Sequence, residues 1–152
     1  MATFNSAQYT KQADGKLSNR VEGNLVTGDI RVAEATYTTA GTEAANDLVN
    51  VITLPVGAVV LSELCRYAYE AAGGTGTAIA TLGDAGDDDR YSATSVAITS
   101  AGYTAVTPVS GNVLTRYSVT STTNTVIAKL NLTSGSVTAG KLVKFVVVYR
   151  LP

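Results

Sequence analysis

The chain has 152 residues and a formal net charge of −1, with no histidine, no tryptophan and one cysteine. That length suits a single domain with an apolar core that needs no disulfide or metal. The missing histidine removes the commonest general base and metal ligand, one cysteine excludes an intrachain disulfide or a Cys/His zinc site, and the scattered Lys and Arg form no stripe for nucleic-acid phosphates.

The N-terminal segment, residues 1–28, reads differently from the rest. The opening Met1-Ala2-Thr3-Phe4-Asn5-Ser6 is polar, so no signal peptide is expected. Isolated apolar residues (Phe4, Tyr9, Leu17, Val21) alternate irregularly with Lys11, Asp14, Lys16, Arg20 and Glu22. Neither a period of 2 nor one of 3.6 emerges. Such a segment buries its side chains only against a partner, so we expect an extended arm, with Phe4, Tyr9, Lys11, Lys16, Leu17 and Arg20 as candidate partner-binding residues.

From residue 29 to residue 152 a single β-sheet domain is expected, because Val, Ile, Thr and Tyr dominate. Residues 31–38 read as a weak strand suited to a sheet edge. Residues 47–54 read as a strand buried on both faces through Leu48, Val49, Val51, Ile52 and Leu54, and Pro55-Val56-Gly57 stops it. Residues 59–71 fit either a helix, with Val60, Leu64, Tyr67 and Ala71 on one stripe, or a strand, with Glu63 as its exception. The β-rich surroundings favour the strand. Cys65 within it reads as a small buried hydrophobe, in keeping with a reducing compartment such as a bacterial cytoplasm.

Residues 77–82 and 116–120 are further short strands, and residues 91–106 hold one or two more. In residues 125–132, Val126, Ala128, Leu130 and Leu132 share a face. In residues 142–151, Val143, Phe145, Val147, Tyr149 and Leu151 do. The turn-rich stretch between these two predicts an antiparallel hairpin with a longer loop. About eight strands at hairpin-like spacing indicate a sandwich or barrel.

Few residues invite chemistry. Gly83-Asp84-Ala85-Gly86-Asp87-Asp88-Asp89-Arg90-Tyr91 concentrates carboxylates that could hold calcium, but it lacks the closing Glu of an EF-hand loop. The favoured reading is an acidic turn whose Asp side chains cap backbone N–H groups, with Arg90 as the local counter-charge. Gly73-Gly74-Thr75-Gly76 reads as a turn, and Asn131-Leu132-Thr133 as a chance glycosylation sequon. No catalytic residue, metal ligand or cofactor is expected, so the chain is read as non-enzymatic. Charged residues make up 15% of the chain, against about 25% in an average soluble protein. Either partners cover part of the surface, or hydroxyl side chains keep it soluble.

Three motifs in order carry a resemblance: Arg31-Val32-Ala33-Glu34-Ala35-Thr36-Tyr37-Thr38, then Leu54-Pro55-Val56-Gly57-Ala58-Val59-Val60, then the acidic turn running from Leu82 to Tyr91. Together they resemble the capsid decoration, or cement, proteins of tailed bacteriophages. The resemblance implies an all-β antiparallel sandwich of jelly-roll type. It also implies a dimer or trimer docked on the capsid exterior, bridging major capsid protein subunits. Val56 departs from the pattern, since similar proteins often carry a basic residue there. Two other roles compete: a neck, tail or head-fibre component of a phage, and a carbohydrate-binding sandwich for host attachment. The latter would use exposed aromatics from among Tyr67, Tyr69, Tyr91, Tyr103 and Tyr117.

Overall fold

A computed structural model describes residues 29–73, 77–131 and 137–151. Alternation of apolar and polar residues builds most of the strands. They are β1 (Ile30–Thr38), β2 (Leu48–Thr53), β3 (Val59–Val60), β4 (Arg66–Tyr69), β5 (Ala78–Asp84), β6 (Asp87–Ser92), β7 (Val96–Ala97), β8 (Gly102–Ala105), β9 (Thr125–Asn131) and β10 (Leu142–Arg150). A 3-10 turn, Ser62–Leu64, separates β3 from β4, and one short helix, α1 (Ser110–Thr115), follows β8.

The strands form two sheets in which every pairing is antiparallel. The first runs β1-β10-β4-β8, with β3 also on β10; the second runs β2-β9-β5-β6, with β7 also on β5. With the two-residue β3 and β7 set aside, the chain changes sheet at every step except from β5 to β6. That is the connectivity of a jelly roll, and the expected all-β sandwich is what forms.

Inward-facing side chains of both sheets make one core. β9 contributes Val126, Ala128 and Leu130, β10 contributes Val143, Phe145 and Val147, and Ile79, Leu82, Tyr67 and Ile98 fill the space between. The rings of Tyr67 and Phe145 meet edge to face, 5.9 Å apart at 88°, an arrangement the aromatic quadrupole favours. Cys65 is buried as expected, its thiol directed at the carbonyls of Leu61 and Val148.

Several expectations are corrected. β9 and β10 alternate as the sequence indicates, but they do not form a hairpin: β9 pairs with β2 and β5, and β10 with β1, β3 and β4, in opposite sheets. Alternation tells which face a strand buries, not which strand lies beside it. β2 is not buried on both faces, because it is the edge of its sheet and Leu48 is 58% exposed. A register shift between Asn50 and Ile52 turns Val51 and Ile52 both toward half-buried positions, so the continuous apolar run reflects a bulge. Residues 116–120 form no strand and make a single bridge, Val59 to Ser118. Arg116 there sits at φ +53°, closing α1 rather than extending a strand. Residues 59–71 hold strands, but Glu63, the odd residue of the pattern, lies in the turn that splits them.

Candidate functional site

The acidic turn is organised around one carboxylate. Asp84 ends β5 with its side chain only 2% exposed. Its oxygens accept from Arg90 Nε at 2.7 Å, Arg90 Nη2 at 3.3 Å, Tyr91 Oη at 3.0 Å and the Gly86 N–H at 2.9 Å. Burial works against the Arg90 charge, but the hydrogen bond and charge of Asp84 outweigh it and hold the guanidinium above its usual range. The same guanidinium lies 4.2 Å over the ring of Tyr117. Gly83 makes the hairpin possible, since a Cβ there would collide with the Asp87 carbonyl oxygen and the Asp88 carbonyl carbon of β6. Around Asp84 the turn is therefore the capped structure that its sequence favours, with Arg90 as the local counter-charge.

Asp87, Asp88 and Asp89 extend from that hairpin with their carboxylates all within 4.8 Å of one another. Lys129 of β9 answers one of them, with Nζ 2.8 Å from Asp88. Asp89 is held above the usual carboxylate range, first by its hydrogen bond with Asp87 and also by burial and the neighbouring charges. The group is a partly exposed acidic knob beside the outer face of the second sheet, and its geometry assigns it no reaction.

The proposed aromatic platform does not assemble. Tyr67 and Tyr91 are buried in the core, and Tyr69 is half-buried beside Gly102. Tyr103 projects from the outer face of the first sheet, 67% exposed, whereas Tyr117 is engaged by Arg90 beside the acidic turn. The two exposed rings thus stand in different settings.

A surface with a distinct character does form on the outer face of the first sheet. Register places Ile30 beside Arg150 and Val32 beside the buried Val148, and sets Glu34, Val146 and Arg66 in one row across three strands and Thr36, Lys144, Ala68 and Tyr103 in another across four. Ile30, Val32, Tyr103 and Leu142 are exposed on it. Its two carboxylates are both engaged: Glu34 pairs with Lys144 at 2.6 Å, and Glu70 accepts the Leu142 N–H at 2.9 Å. Arg66 and Arg150 have no carboxylate within 4.0 Å among the described residues. The outer face of the second sheet is of opposite character, with Asn50, Lys129 and the Asp87–Asp89 knob around Leu48 and Ile127.

The sequence-predicted partner residues Phe4, Tyr9, Lys11, Lys16, Leu17 and Arg20 lie outside the described residues. What is described is where their segment joins. Asp29 precedes β1, the edge of the first sheet, and its carbonyl accepts the Leu151 N–H at 3.2 Å beside the end of β10. The exposed face of β1 and β10 was overlooked in the sequence, although the alternation of Ile30, Val32 and Glu34 was available as a signal.

No family model and no curated protein matches the sequence. Among solved structures, a chain of the cyanophage Pam1 capsid asymmetric unit is 26% identical, with a TM-score of 0.60 over 100% of both chains. A chain of the capsid of Ralstonia phage GP4 shares the fold at 15% identity, with a TM-score of 0.55 over 82% of this chain and 86% of that one.

Proposed function

We propose that this protein is a structural virion component that binds the outside of a phage capsid as a decoration, or cement, protein. The observation that carries the reading is the end-to-end similarity to a chain of the Pam1 capsid asymmetric unit. The remaining features agree with it. The jelly roll buries one core between its two sheets, its conspicuous surfaces are open sheet faces, and the buried Asp84 of its acidic turn is answered by Arg90. A cement protein works by many weak contacts repeated over a symmetric lattice, so avidity rather than a deep site supplies its strength. On this reading it is made in the bacterial host cytoplasm, assembles as a dimer or trimer, and bridges neighbouring major capsid subunits, with residues 1–28 as an arm on the shell.

Mass-resolved counting of this chain in purified particles tests the proposal. The expected result is a copy number comparable to that of the major capsid protein, with shells that rupture more readily once the chain is stripped off. A handful of copies per particle would instead assign it to the neck, tail or a head fibre.

A further inference from the structure

We propose that the outer face of the β1-β10-β4-β8 sheet is the surface that seats on the capsid shell, and that it recognises an apolar patch of the shell bordered by carboxylates. The inference rests on the decoration reading and adds which face binds and by what chemistry.

The first argument is charge. Elsewhere among the described residues, cations on the sheets and their loops are mostly answered: Arg31 by Asp29, Arg90 by Asp84, Arg116 by Glu63, Lys129 by Asp88 and Lys144 by Glu34. Besides Lys141, in the loop before β10, the exceptions are Arg66 and Arg150, and both lie on this one face, beside Val146 and Ile30 respectively. A guanidinium is weakly hydrated and holds a carboxylate through two parallel hydrogen bonds, so an unanswered one amid apolar side chains is suited to a carboxylate from outside. The opposite face presents Asp87, Asp88 and Asp89 and would be repelled by such a patch. The two faces therefore differ in sign, and an acidic partner surface selects one orientation.

The second argument is apolar area. Ile30, Val32, Leu142 and Tyr103 are each at least 45% exposed and project from the same sheet. β10 carries the half-buried Val146 between them, in one row with Glu34 and Arg66, so apolar side chains are flanked by charges on this face. Interfaces combine an apolar centre, an aromatic anchor and a polar rim in this way, with Tyr and Arg enriched among the residues that matter most.

Capsids stripped of this protein, mixed with the purified full-length chain and sedimented over a range of salt, test the inference. Wild type should bind, and more weakly as salt rises. The double variant Arg66→Glu with Arg150→Glu should bind roughly a hundredfold more weakly. Tyr103→Ala, which removes an exposed ring and leaves the core intact, should bind about tenfold more weakly. Asp87→Lys with Asp89→Lys, on the far face, should bind within about twofold of wild type. Each variant is first matched to wild type by circular dichroism. If the far-face variant loses binding while the Arg66/Arg150 and Tyr103 variants keep it, the face is wrong but the decoration reading stands. Wild type that fails to bind at all overturns the decoration reading itself.

Discussion

Replacing Asp84 by Ala isolates the hairpin that the fold is built around. In the native protein this carboxylate accepts two bonds from Arg90, one from Tyr91 and one from the Gly86 N–H, and is 2% exposed. Its removal takes from the Arg90 guanidinium, 13% exposed, the carboxylate it is hydrogen-bonded to, leaving only the weaker influence of Asp87, and strands the Tyr91 hydroxyl close to the core. Removing one partner of a buried ion pair costs about 3–5 kcal/mol, because the surviving charge stays desolvated. At about 2–4 °C per kcal/mol for a chain of this size, the melting temperature should fall by about 6–20 °C. Urea unfolding followed by circular dichroism measures the loss directly, as a lower midpoint with unchanged slope. A double-mutant cycle with Arg90→Ala then separates the pair from its surroundings, and the coupling should exceed about 1 kcal/mol. Arg90→Ala also loses the contact with the Tyr117 ring, worth about 0.5–2 kcal/mol, so its own cost should not vanish in the Asp84→Ala background. A loss below about 1 kcal/mol for Asp84→Ala, or strict additivity in the cycle, would refute the view of Asp84 as the organising charge.

Gly83→Ala should destabilise by on the order of 3 kcal/mol, since its methyl meets β6 backbone and not a movable side chain; thermal melting checks this. Glu63 is held below the usual carboxylate range, first by its hydrogen bonds with Arg116, at 2.5 and 2.9 Å, against the opposing effect of burial. Its folded-state pKa is depressed, so this contact stabilises above the unfolded value and fades as pH falls through the folded one. Arg116→Gln should flatten the acid limb of a stability-versus-pH curve, and an unchanged limb would remove the pair from the account. Burial pushes the Cys65 thiol up to about 11, so a thiol reagent at pH 8 should label it only as fast as the chain unfolds. Rapid stoichiometric labelling of native protein would contradict its position. Deletion of residues 1–28 should leave the circular dichroism spectrum β-rich while weakening particle association; a truncated chain that unfolds would make that segment part of the core.

The residues themselves set the class of the molecule. Alternation in β9 and β10 identified their core faces, Val126, Ala128 and Leu130 in one and Val143, Phe145 and Val147 in the other, because side-chain direction in a strand depends only on parity. The capped acidic turn was also legible, since it depends on near neighbours in the chain, and the burial of Cys65 followed from its residue type, although the Val148 it packs on is distant in sequence. Partner choice was not. Whether β10 lies beside β9 or beside β1 is decided by long-range packing of two sheets, which no local window records. The bulge in β2 hid an exposed edge behind an apolar run. The pairing of Lys144 with Glu34 and of Arg116 with Glu63, and the lack of a carboxylate beside Arg66 and Arg150 among the described residues, likewise arise only when distant segments meet. Charge balance is a property of a surface, and the surface exists only after the chain has folded.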